Sequence, residues 1–164
     1  NDLANNYGNL CQRVFSFIKK NCNNKIPKND NLKDVDYKLL NELKESIPKL
    51  IELMNKQNLN EYIKKIVSFS FDANKYFNDS EPWAVKKNDI KRMETIVFTI
   101  IEQIKNISIL LNPIIPIATN KVLETMNISE EHRNIKSINK SDSLKHNLER
   151  KNLEILLKKI ENGN

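Results

Sequence analysis

Asn9 and Arg13 stand four residues apart in an amphipathic stretch, so on a helix they stack on one side, away from the apolar seam of Leu3, Tyr7, Leu10, Val14 and Ile18. An Asn amide offers a donor and an acceptor, and Arg offers a planar fork of donors. Together they can match the edge of an unpaired base and a neighbouring phosphate. The same pair also suits a helix that merely faces water. Trp83, the single tryptophan, follows Pro82 at the start of a short helical segment. Exposed, a backbone-stiffened indole is a stacking platform worth about 1–3 kcal/mol per base. Turned inward, it fills one end of a bundle.

Bond-making chemistry has less to draw on. The glycines are Gly8 and Gly163 alone, which excludes a glycine-rich phosphate loop. His132 and His146 lie in a polar stretch without neighbouring Cys or a cluster of acids, so no metal-ligand spacing arises and no nucleophile can be paired with a base. Glu130 and Glu131 fall where a solvated face is expected, and no general acid or base is assigned. Cys11 and Cys22 sit in one helix, separated by roughly 16 Å at 1.5 Å per residue, too far for a disulfide or a shared metal. They read as reduced, partly buried thiols. No stretch reaches the roughly 20 apolar residues of a membrane span, and no signal-peptide pattern opens the chain, so a cytoplasmic protein with no membrane partner is expected. Sequons such as Asn127 to Ser129 are then incidental.

The elements that must position these residues read as helices throughout. The first runs over about 2–22. A polar loop at 23–33 follows, then a helix over about 35–56 seamed by Leu40, Leu43, Ile47, Leu50 and Met54. Pro48 lies inside it, which predicts a kink or a restart near Ser46. The third helix covers about 59–77 through Tyr62, Ile66, Phe69, Ala73 and Tyr76. Asp79 or Ser80 can cap a short helix over 81–87, with Pro82 in its first turn. Asn88 or Asp89 caps a central helix in which Ile90, Met93, Val97, Ile100, Ile104, Ile107 and Leu111 keep three-and-four spacing. It ends at Asn112–Pro113, where the pre-proline residue is pushed from helical geometry. A shorter helix follows Pro116 to about Met126. Beyond it 127–147 is polar, and 148–161 is apolar enough to dock back as a helix or strap.

The expected class is therefore all-α: an antiparallel bundle of about five helices over 1–126, with 127–164 a polar linker and C-terminal segment folding back on the same domain. At 164 residues, with 2 Gly and 5 Pro, one core is the default and a turn-dense β fold is disfavoured. A net charge of +6 suits a polyanionic partner, although a chain rich in Lys, Asn and Ile also carries the imprint of AT-rich coding DNA. The chain opens on Asn1 with its amphipathic pattern already under way at Leu3, as a piece of a longer protein would.

The run Asp2-Leu3-Ala4-Asn5-Asn6-Tyr7-Gly8-Asn9-Leu10-Cys11-Gln12-Arg13, followed by Ala73-Asn74-Lys75-Tyr76-Phe77-Asn78-Asp79-Ser80-Glu81-Pro82-Trp83, resembles the anticodon-binding helical domain of methionyl-tRNA synthetase. Leu111 to Pro116 and Leu157 to Glu161 are similar to that family's later helix and C-terminal strap. The likeness spans nearly the whole chain, with 23–33 and 127–147 carrying little of it. The resemblance implies a class I synthetase bundle that reads the CAU anticodon of tRNA(Met), and no DNA partner. It assigns stacking on the first anticodon base to Trp83 and base contacts to Asn9 and Arg13. Pro82 would hold the indole, and Asn74 would tie the third helix to the turn before Trp83. It also implies an N-terminal catalytic domain, absent from this chain, that uses ATP with magnesium to join methionine to its tRNA. The fragment itself would carry no cofactor, metal or catalytic residue. Two rival readings are the anticodon domain of another class I synthetase and a helical adaptor that grips protein partners through an apolar groove.

Overall fold

The structure, a computed structural model, describes residues 2–28 and 31–139. It contains α1 (Asp2–Asn21), α2 (Asp34–Asn55), α3 (Leu59–Ser80), the single turn α4 (Pro82–Val85), α5 (Ile90–Leu111) and α6 (Pro116–Thr125), followed by 3-10 turns at Glu130–His132 and Ile135–Asn139. Five of these helices have ten residues or more, and no strand occurs among the described residues, so the all-α class stands.

Side-chain contacts fix the directions. Tyr7 on α1 meets Ser108 near the end of α5, and Cys22, just past α1, meets Met93 near its start, so α1 and α5 run oppositely. Tyr62 at the start of α3 donates to the Leu110 carbonyl, which sets α3 against α5 as well. Asp36 at the start of α2 pairs with Arg92 at the start of α5 and with Tyr76 near the end of α3. The four long helices thus alternate up, down, up, down, and α1 runs parallel to α3.

The core follows the three-and-four spacing. Leu3, Tyr7, Leu10, Val14 and Ile18 of α1 and Tyr62, Ile66, Phe69, Ala73 and Tyr76 of α3 are all buried. In α2, Leu53 completes the seam and Met54 is only half-buried. From Thr95 to Leu111, α5 is buried on nearly every face, including Thr99, Gln103 and Asn106 and the ion pair Lys105–Glu102 at 2.5 Å. A helix this enclosed is the axis around which the others pack. Ile90, which opens its apolar pattern, lies before that enclosure and is exposed.

Three local expectations are corrected. Of the kink or restart expected near Ser46, the restart does not occur: α2 is one helix through Pro48. Pro48 is exposed, so its ring lies outside the core that the neighbouring Ile47 and Leu50 enter. Nor does Asp79 or Ser80 cap α4. Helix α3 continues to Ser80, and Glu81 in left-handed geometry (φ 46°, ψ 58°) serves as the joint between the two helices, without a side-chain cap. Finally, Asn112 keeps helical angles (φ −55°, ψ −42°). The helix stops at the expected place because Pro113 has no N–H to continue the ladder. Other signals act as read: Asp89 caps α5 by accepting from the Arg92 amide at 3.0 Å, and Pro82 and Pro116 stand in first turns.

After α6, Ile128 and Ile138 insert into the core, so the described part of the polar stretch is anchored to the bundle. The strap expected over 148–161 lies outside the described residues.

Candidate nucleic-acid interface

Glu81 directs the chain so that Pro82 is buried and Trp83 is turned outward, with 41% of its surface exposed. The covered part of the indole rests on Phe77 of α3, ring centroids 5.8 Å apart and planes at 67°. Phe77 is itself buried and meets Phe17 of α1 edge-on at 5.7 Å. The Trp83 ring therefore stands on a stack of aromatics that belongs to the core, and its outer part remains available.

Arg13 of α1 completes the edge. Its guanidinium lies 5.1 Å from the Phe77 ring centre and 5.6 Å from that of Trp83, and its Nη2 donates to Oδ1 of Asn78. A guanidinium that contacts two rings and spends one nitrogen on an amide is restrained in position, with the remaining donors of its fork left for a ligand. At the far end of the turn, Lys86 donates to Asn21 Oδ1 at 2.6 Å and ties the α4 segment to the end of α1.

Of the residues singled out in the sequence, Arg13 and Trp83 are brought together. Asn9 is exposed one turn before Arg13, on the same side of α1. Pro82 is the buried first residue of α4. The Asn74 amide donates to the Ser70 carbonyl at 3.3 Å, within α3, so this contact does not reach the turn before Trp83. Asn78 and Phe77 were missed as members of the edge. Ending α3 at Phe77 put Asn78 in a turn, whereas the helix running to Ser80 keeps it in register with Asn74 one turn earlier.

The edge is backed by a buried charge pair. Asp36, fully buried, takes both Arg92 nitrogens (2.7 and 3.0 Å), the Tyr76 hydroxyl (2.5 Å) and the Lys33 amide (2.9 Å). Burial alone would raise the Asp36 pKa, but these hydrogen bonds and the Arg92 charge hold it below its ordinary value. Burial, reinforced by the Asp36 carboxylate, pushes the Tyr76 phenol well above its usual range. Tyr76 and Phe77 are adjacent, so α3 is pinned on the Asp36 side and supports Trp83 on the other.

The fold places the chain among all-helical bundle domains. The family described as the anticodon binding domain of methionyl tRNA ligase matches residues 26–164, and the chain belongs to this family. The methionine–tRNA ligase of Mesorhizobium japonicum is 33% identical over 132 residues, covering 80% of this chain and 26% of the relative. That of Rickettsia typhi is 31% identical over 147 residues, 88% of this chain and 29% of the relative. The chain thus spans about a quarter of the length of the curated relatives it matches. The free-state crystal structure of Mycobacterium tuberculosis methionyl-tRNA synthetase superposes with a TM-score of 0.83 at 25% identity, covering 91% of this chain and 31% of that one. The same enzyme in complex with methionyl-adenylate gives 0.83 at 26% identity, covering 90% and 30%. The family match takes in Asn74, Pro82 and Trp83 and begins after Asn9 and Arg13. Among the described residues, no helix is long and apolar enough to cross a membrane.

Proposed function

We propose that this bundle reads the CAU anticodon of tRNA(Met) for a longer cytoplasmic enzyme whose catalytic domain attaches methionine to that tRNA with ATP and magnesium. The observation that carries the reading is the Trp83 indole, held against Phe77 and left 41% exposed, with the Arg13 guanidinium 5.6 Å from its ring centre. Anticodon bases are unpaired and can be splayed, so each offers a face for stacking and an edge for hydrogen bonds. Trp83 takes the face of the first anticodon base. Arg13 and Asn9 contact base edges, and Asn78 sets the plane of the Arg13 fork. Stacking contributes affinity that tolerates any base, while the polar pair makes it selective, because a wrong base leaves buried donors and acceptors unpaired. The net charge of +6 adds a salt-sensitive attraction to the loop phosphates.

Trp83 is the only tryptophan, so its fluorescence reports the site directly. Titration with a CAU anticodon stem-loop should quench it at concentrations about tenfold or more below those required by a loop altered at the first anticodon base. Equal, weak responses to both would refute base reading by this edge and favour a protein-binding adaptor.

A further inference from the structure

We infer that Phe71 of α3 is a second stacking platform, which takes an unpaired base lying beyond the one on Trp83; this rests on the RNA-reading role proposed above. Phe71 is 57% exposed, the most exposed aromatic side chain among the described residues, although it sits in the middle of a helix whose other large aromatics are buried. A phenyl group left in water at that position is not required by the bundle, since Tyr62, Phe69, Tyr76 and Phe77 already fill the α3 side of the core.

Its place relative to the edge is set by helix geometry. Seven residues separate Phe71 from Asn78, which at 100° per residue returns to within about 20° of the same bearing and moves along the axis by about 10 Å. Phe71 therefore lies on the flank of α3 that carries Asn78, the acceptor for Arg13. Because α1 and α3 run parallel, Asn9, one turn before Arg13, and Phe71, two turns before Asn78, are displaced from the Arg13–Asn78 contact in the same direction. A single strand that leaves Trp83 in that direction passes the exposed Asn9 of α1 and the exposed Phe71 of α3. Phe71 lies about 10 Å along the α3 axis from Asn78, so an unpaired strand that has passed the Arg13–Asn78 contact reaches the phenyl ring within a few nucleotides. The occupant is thus another base of the same loop.

The test compares Phe71→Ala and Phe71→Tyr with the unaltered chain in binding a CAU anticodon stem-loop, read by the anisotropy of a dye on the RNA. Each loop position is then made abasic in turn. Phe71→Ala should weaken binding about tenfold and Phe71→Tyr should restore it. One abasic position, different from the one that silences Trp83→Ala, should remove the difference between Phe71→Ala and the unaltered chain. Unchanged affinity in Phe71→Ala, with Trp83→Ala impaired, overturns the second platform and leaves the Trp83 site standing; the phenyl then belongs to a protein contact. A loss that no abasic position removes also overturns it, because the effect would be indirect. If neither Trp83→Ala nor Phe71→Ala changes binding, the RNA-reading role fails together with this inference. Since Phe71 is exposed, circular dichroism of the Ala variant should match that of the unaltered chain.

Discussion

Trp83→Ala separates a recognition role from a packing role, because the exposure of the indole sets the size of both effects. With 41% of the residue exposed, somewhat over half of an indole that can bury up to about 250 Å² is covered, or about 150 Å². At about 25 cal/mol per Å², less 10–40% for the compactness of real unfolded chains, truncation should cost about 2–3 kcal/mol of stability. Domains have about 5–15 kcal/mol in hand, so the variant should remain folded at 10 °C with a melting temperature lowered by about 5–10 °C. Binding should fall separately by about 1–3 kcal/mol, or about 5- to 150-fold, through the lost base stack. Circular dichroism at 10 °C establishes helicity, and anisotropy of a labelled CAU stem-loop at the same temperature establishes affinity. Native helicity with affinity within twofold of the unaltered chain would refute stacking on this ring. Loss of the helical signal at 10 °C would refute the packing arithmetic and make Trp83 a core residue. Trp83→Phe, which keeps a smaller ring over Phe77, should fall between the two in both measurements.

The other effects are read the same way. Arg92→Leu strands the buried Asp36 carboxylate and should cost about 3–5 kcal/mol at pH 7 by thermal melting. Because the folded Asp36 pKa is depressed, the stability it confers is present above the ordinary carboxylate pKa of about 3.9 and lost as pH falls below it. The gap between the two proteins should therefore close as the pH is taken down through that range, and a gap constant with pH would contradict the assignment. Arg13→Lys keeps the charge but loses the planar fork over Phe77 and Trp83, so stem-loop affinity should drop about 5- to 30-fold while the melting temperature barely moves. Burial pushes the Cys11 thiol up to about 12 and, helped by the nearby Glu94 charge, the Cys22 thiol up to about 11. Both should react with a thiol reagent at pH 8 at least about a hundredfold more slowly in the folded chain than in guanidinium chloride; a fast native phase would mean that one of them is open to solvent.

The long helices were legible because their apolar residues recur at the helical period and their ends carry specific chemistry. Asp89 caps α5 through its side chain, and Pro82 and Pro116 stand where a missing N–H costs nothing. The misreadings share a cause. Whether Pro48 breaks α2 depends on whether its ring falls on the exposed or the buried side of the helix, and that is settled by packing. Whether α3 ends at Phe77 or Ser80 depends on Glu81 accepting left-handed geometry, which its side chain does not advertise. The burial of Glu102, Lys105 and Asn106 is likewise set by what surrounds α5, and their residue types alone suggest a solvated face.

The candidate site was legible as residue types and illegible as an arrangement. Exposure of Trp83 could not be decided from Pro-Trp alone, since the same dipeptide serves a buried bundle end. What decides it is the step at Glu81, which buries Pro82 and leaves the next side chain facing out. In the proposed role that step is useful only if the end of α3 is held in place, because a stacking ring that shifts loses contact with its base. Tyr76 and Phe77 meet this requirement from opposite sides. Tyr76 is held to the Asp36–Arg92 pair shared by α2 and α5, and Phe77 is clamped between Phe17 and Trp83. The buried ion pair is costly to desolvate, and an apolar trio of similar shape would serve stability as well. Its directional bonds fix the rotation of α3 about its own axis, which apolar packing specifies less sharply. An Asp36→Asn variant, uncharged but close in shape, therefore bears on recognition as well as on stability: it should weaken stem-loop binding even at temperatures where it is fully folded. Full affinity in that folded variant would show that Phe77 alone suffices to hold the platform.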